Sequence, residues 1–119
     1  AEAGSMLGSG GMMAICEGSC MVRILSDIAR FYADESCGQC APCREGCGWI
    51  AAIARRGEAG RGRDGDIDTM LSLADNMQGR TICVLADALA MPVKSFVGKF
   101  RVEFENHVSK GRCPFESGA

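Results

Sequence analysis

A chain of 119 residues, 24% charged and 47% hydrophobic, with a net charge of -2, has the composition of a single soluble globular domain. That balance excludes disorder and a coiled coil, and 13 basic against 15 acidic residues predict neither nucleic acid nor anionic lipid as partner. No apolar run approaches the ~20 residues of a membrane helix; the run at 82–86 stops at Asp87. No signal-like apolar core precedes Arg23, the first basic residue, and the chain opens Ala1-Glu2-Ala3 without an initiator Met, which reads as a processed chain or an excised fragment.

The unusual number is eight cysteines. A core of this size gains from a staple, either disulfides in an oxidising compartment or thiolate-bound metal in a reducing one. Without a secretory signal the reducing reading is favoured.

The Gly- and Met-rich opening carries one apolar run, Met12-Met13-Ala14-Ile15-Cys16, which predicts a single β-strand. A lone strand has no partner, so it is assigned to the end of a domain lying upstream, residues 1–18, with an unstructured tail as the alternative. The pattern then turns helical. Met21, Ile24, Leu25, Ile28 and Tyr32 share one face, with Ser19 as N-cap and Gly38 as stop. A second helix opens at Pro42, carries Trp49, Ile50 and Ile53, and ends with Arg55-Arg56 before Gly57. A glycine-rich loop at 57–65 follows, and Asp66 caps a third helix bearing Ile67, Met70, Leu71, Ala74 and Met77. Pro92 opens a fourth, with Val93, Phe96, Val97, Phe100 and Phe104 as its stripe to about Val108. The expectation is all-α: a small four-helix bundle over residues 19–110, with a C-terminal tail at 111–119.

Chemistry concentrates in Glu35-Ser36-Cys37-Gly38-Gln39-Cys40-Ala41-Pro42-Cys43-Arg44-Glu45-Gly46-Cys47. Three thiolates spaced C-x2-C-x2-C can curl round one corner of a cubane cluster, each binding a different iron, and the fourth iron needs a thiolate from elsewhere. Structural zinc is the rival, but such sites take two separated pairs, and no second pair exists here; the one histidine, His107, reads as a solvated helix-terminus residue. Disulfides fit the two-residue spacings least well. Two cysteines compete as fourth ligand. Cys47 completes a ferredoxin-like run, although Gly48 replaces the usual proline and a helical Cys47 would stand one turn behind Cys43. Cys83, in Thr81-Ile82-Cys83, sits in a non-helical connection that a bundle can fold back over the first loop.

The string from Glu35 to Gly46, with Thr81-Ile82-Cys83, Pro92, Phe100-Arg101 and Glu103-Phe104 after it, resembles the C-terminal part of the NADH-binding flavoprotein subunit of respiratory complex I. Flavoprotein subunits of NAD-linked hydrogenases and formate dehydrogenases share the pattern. The resemblance implies one [4Fe–4S] cluster held by Cys37, Cys40, Cys43 and Cys83 in a four-helix domain, with the opening through Cys16 as the end of a ubiquitin-like domain. It further implies electron transfer from a reduced flavin, FMN, after NADH oxidation, toward iron–sulfur clusters of partner subunits in the peripheral arm. Those functions place the chain in the cytoplasm, peripheral at the inner membrane, with no insertion of its own. The glycine-rich FMN- and NADH-binding region of that family lies upstream, so this chain alone is not expected to oxidise NADH. Position 47 is usually a small non-thiol residue in the family, so Cys47 is an extra thiol and a spare ligand; Met91 stands where an aromatic commonly precedes the proline.

Cys16, Cys20 and Cys113 have no metal spacing and read as spare thiols. Arg44 either offsets the charge of a thiolate cluster or is a plain helix-start arginine. Gly38, Gly46 and Gly48 either bring backbone N–H groups near sulfur or are turn residues. Trp49 reads as core.

Overall fold

The computed structural model describes residues 13–111. Four helices follow in order: α1, Met21–Glu35; α2, Ala41–Glu58; α3, Asp66–Met77; and α4, Leu85–Lys110. They pack as an all-α bundle in which α1 lies against α2 and α4, and α3 lies against α2 and α4. The strand expected at 12–16 does not form over the described part of that run: residues 13–16 take no secondary structure. A strand needs another strand's N–H and C=O groups, and no described segment supplies them. Met12, Cys113 and most of the C-terminal tail lie outside the described residues.

The buried stripe of α1 is centred on Val22, Leu25 and Ala29, with Ile24, Ile28 and Tyr32 half-buried at its edge. The expected face is therefore rotated toward two smaller side chains, because α1 is covered from two sides. Cys20 is its N-cap in place of Ser19. In α2 the buried positions are Cys43, Gly46, Cys47, Ile50, Ile53 and Ala54, an i, i+3, i+4, i+7 stripe that leaves Trp49 outside it. Trp49 is 55% exposed and is not core. Adjacent to Ile50 in sequence, it points about 100° away round the helix.

Asp66 is the first residue of α3, not its cap; Gly65, in the left-handed region at φ 87°, takes that place. The Asp66 carboxylate instead accepts the Arg63 N–H at 2.8 Å and the Arg56 guanidinium at 2.6 and 3.3 Å. This partly buried bidentate pair fixes the end of α2 to the start of α3.

The fourth helix begins at Leu85, seven residues before Pro92. The segment 85–91 is rich in Leu and Ala, strong helix formers, and Ala86, Leu89 and Ala90 continue the buried stripe of Val93 and Val97. Pro92 forfeits one bond, to the Ala88 carbonyl, and the packed face carries the helix through. The backbone leaves helical angles once, at Phe100 (φ -122°, ψ 31°). Lys94 joins α4 to α3 through Asp75 at 2.5 Å and Gln78 at 2.7 Å.

Candidate functional site

The connection between α1 and α2 is five residues long, 36–40, and its shape is set by a few bonds. Ser36 closes α1 by donating its N–H to the Tyr32 carbonyl at 3.1 Å. Gly38 then takes φ 81°, a left-handed turn that a side chain would strain. Its N–H donates to Ser36 Oγ at 3.4 Å, and its carbonyl accepts from Arg44 Nη1 at 2.8 Å. Cys40 is the extended N-cap of α2, and Pro42 sits in the first turn. Cys37 is thus exposed, Cys40 half-buried and Cys43 buried one helical turn into α2. Arg44 is an exposed helix-start arginine that also clamps the turn and pairs with Glu45 at 3.3 Å.

The connection between α3 and α4, 78–84, folds back on this turn. The Gly79 N–H donates to Asp87 Oδ1 at 2.7 Å, anchoring the loop to the start of α4. Thr81 Oγ1 donates to the Cys83 carbonyl at 2.7 Å. The Ile82 N–H reaches Cys40 Sγ at 3.4 Å. The residue preceding Cys83 therefore touches the middle cysteine of the three-cysteine turn, and Cys83 itself is exposed beside it in sequence. Ile82 and Val84, either side of it, are 86% and 73% exposed.

Cys47 lies apart from this mouth. It is wholly buried, with its sulfur 3.8 Å from Cys43 Sγ, one turn further into α2. Burial pushes its thiol up to about 12, and the neighbouring Cys43 adds to the rise through charge and hydrogen bonding. It stands behind Cys43 in the core.

The donors suit an iron–sulfur cluster. All four candidates are soft thiols, and a backbone N–H already addresses one of the sulfurs. Among the described residues no three Cys, His, Asp or Glu groups converge on the position of a single ion.

Other positions depart from the sequence reading. His107 is not solvated: it is 1% exposed. Its Nδ1 donates to the Glu103 carbonyl at 2.8 Å, so Nε2 is left as acceptor for the Cys20 thiol 3.3 Å away. A histidine four residues beyond a carbonyl on its own helix can satisfy one nitrogen internally, which lowers the cost of burying it. Cys20 is accordingly bonded and half-buried. Gly46 serves packing: a Cβ there would lie 2.5 Å from Met77 Sδ. Gly48 faces open space, and neither glycine is a turn residue. Sequence reasoning missed Ser36 altogether. Its hydroxyl lies 3.3 Å from Cys43 Sγ, and the available signal was a small hydroxyl residue directly before the first cysteine.

Comparison with known sequences decides the family. Residues 23–107 match the family described as the NADH-ubiquinone oxidoreductase-F iron-sulfur binding region, of 4Fe–4S type. The chain belongs to that family. This iron–sulfur binding region is 44% identical over 113 residues to an NADH-quinone oxidoreductase F-type subunit of Rhizobium meliloti, covering 95% of the chain and 27% of that protein. It is 43% identical over 114 residues to the NADH-quinone oxidoreductase F-type subunit of Streptomyces coelicolor, covering 96% and 25% respectively. The mitochondrial NADH-ubiquinone oxidoreductase 51 kDa subunit of Neurospora crassa is 40% identical over 106 residues, 89% of the chain and 22% of that protein. The chain spans about a quarter of the length of these curated relatives. Its family cofactor is a [4Fe–4S] cluster.

Proposed function

We propose that Cys37, Cys40, Cys43 and Cys83 hold the cluster and that the chain is an electron-transfer module of an NADH:quinone oxidoreductase. The observation carrying this reading is the contact of the Ile82 N–H with Cys40 Sγ, which brings the Thr81-Ile82-Cys83 connection to the three-cysteine turn. When bound, the cluster supplies one-electron redox chemistry between a flavin hydroquinone and the clusters of neighbouring subunits.

The protein's own part is structural and electrostatic. The turn at Gly38 presents Cys37 and Cys40 on the outside of the bundle, while α2 holds Cys43 at the edge of the core. Arg44 holds the Gly38 carbonyl and brings a positive charge to the same turn. The Ile82 N–H and the Ser36 hydroxyl are placed to donate to ligand sulfurs, which favours extra negative charge there. No acid–base residue is required.

FMN and NADH would be bound by the rest of a subunit of the relatives' length, and the partners would be the cluster-bearing subunits of the peripheral arm. Association with the membrane would be peripheral, through the complex; among the described residues no helix is long and apolar enough to cross it.

Purification without oxygen tests the reading. The expected product is brown, holds about four iron and four acid-labile sulfide per chain, and is bleached by dithionite or by photoreduced FMN. Stoichiometric zinc without sulfide would overturn it in favour of a metal-stapled interaction module.

A further inference from the structure

Ser36 stands at the junction of three constraints. Its backbone N–H is tied to the Tyr32 carbonyl at the last turn of α1, so its Cα moves with that helix. Its Oγ accepts the Gly38 N–H at 3.4 Å. The same Oγ lies 3.3 Å from Cys43 Sγ, which is buried in the first turn of α2. A hydroxyl has one proton to give. With its oxygen already accepting from Gly38, the proton is left for the sulfur. A sulfur that has lost its own proton to become a metal ligand can only accept, so the direction of this bond is then fixed: Ser36 Oγ–H to Cys43 Sγ.

Resting on the ligand assignment above, we infer that Ser36 is a positioning residue that raises the reduction potential of the cluster through its hydrogen bond to Cys43 Sγ. Adding an electron increases negative charge on the cluster and its thiolates, and a donor aimed at one of those sulfurs stabilises that charge more than the oxidised state. Burial of Cys43 strengthens the effect, since water competes poorly for its sulfur. The Cys47 S–H, 3.8 Å from the same sulfur, is a weaker donor, and the Ile82 N–H, which faces Cys40, belongs to the backbone and is common to any residue at that position. Ser36 is the hydroxyl side chain through which the sequence can adjust the potential at Cys43.

The experiment is a potentiometric titration, followed by the electron paramagnetic resonance of the reduced cluster, on the loaded chain and on its Ser36→Ala and Ser36→Thr variants. Iron and sulfide are counted first in each. The expected result is a full cluster in all three, a more negative midpoint in Ser36→Ala, and a midpoint near the parent's in Ser36→Thr, which retains a hydroxyl. The size expected is about a tenfold change in the reduced-to-oxidised ratio at a given ambient potential, equivalent to about 59 mV for one electron. Equal midpoints in the parent and Ser36→Ala, with equal cluster content, would overturn the tuning role and leave the ligand assignment standing. Loss of the cluster from both Ser36 variants would also overturn it, because the residue would then be structural. A parent chain that binds no iron would instead sink the electron-transfer reading itself.

Discussion

The amide N–H of Ile82 points at the sulfur of Cys40 from a distance of 3.4 Å, across 42 positions of sequence. That single bond joins the α3–α4 connection to the α1–α2 turn. Both are irregular segments with little core packing: Cys40 packs at the edge of the core, while Cys37, Ile82, Cys83 and Val84 are all exposed. A cluster held from both sides adds four strong bonds to this weak one and couples the order of both segments to the fold. The loaded chain is therefore expected to melt cooperatively, and the cluster-free chain to melt lower by on the order of 10 °C and over a broader range. Circular dichroism at the helix band checks this; superimposable melts would contradict it.

Gly46 and Met77 set the approach of α2 to α3. A Cβ at position 46 would lie 2.5 Å from Met77 Sδ and 2.6 Å from its Cγ, and Met77 is 1% exposed, with little room to withdraw. Alanine favours a helix over glycine by about 1 kcal/mol, but the collision is expected to outweigh it, so Gly46→Ala should destabilise by about 1–3 kcal/mol. Replacing Met77 with Ala in the same chain should recover part of that loss, because the two changes share one space. Urea unfolding of the four chains measures the coupling, and strict additivity would show that the contact is not the cause.

The Cys47 thiol is held protonated to about 12 by burial, against 9.0 for the ordinary group. In the unfolded chain it ionises near 9, so between these values the fold keeps a proton that the unfolded chain has lost. Stability contributed by this group is present below about pH 9 and falls as pH rises toward 12. Because the thiolate is the reactive form, a short pulse of iodoacetamide at about pH 9.5 on the folded cluster-free chain should label Cys37 and Cys83 and spare Cys47. Peptide mass spectrometry reads the pattern. Labelling of Cys47 as fast as Cys83 would mean that the residue is not buried.

His107 is expected to be structural. Truncation to Ala removes the acceptor of the Cys20 thiol, 3.3 Å away, and opens a hole under α1, so a loss of about 2–4 kcal/mol is expected. The cluster content of the folded protein should not change, since both residues lie in the α1–α4 contact and not among the ligands. Denaturant midpoints and iron counts on one preparation test both halves of the statement.

Helix number and order were legible because each helix carries an apolar stripe at helical spacing, and the turn between α1 and α2 because three cysteines and Gly38 mark it. The features that escaped depend on neighbours. Trp49 and Ile50 are equally apolar in sequence, and only the packing of α2 decides that one is 55% exposed and the other buried. Pro92 looks like a helix start, yet seven residues of good helix formers precede it and share a buried face with Val93 and Val97. His107 looks solvated in sequence because its partners, the Glu103 carbonyl and Cys20, are invisible to composition. For Ser36 the one signal was its place directly before the first cysteine, and its contact with Cys43, seven residues on and made through a turn, does not follow from that. At the candidate site spacing pointed to Cys37, Cys40 and Cys43, the resemblance to Cys83, and nothing in the sequence to the hydrogen-bond donors around them.

The choice between residue 83 and residue 47 as the fourth thiol is tested most directly by iron and sulfide counts on two single variants prepared without oxygen. Cys83→Ala should lose the cluster or retain a degraded one with fewer than four iron atoms, while Cys47→Ala keeps about four of each. A full complement in Cys83→Ala together with loss from Cys47→Ala would contradict the assignment on which the proposed electron path rests.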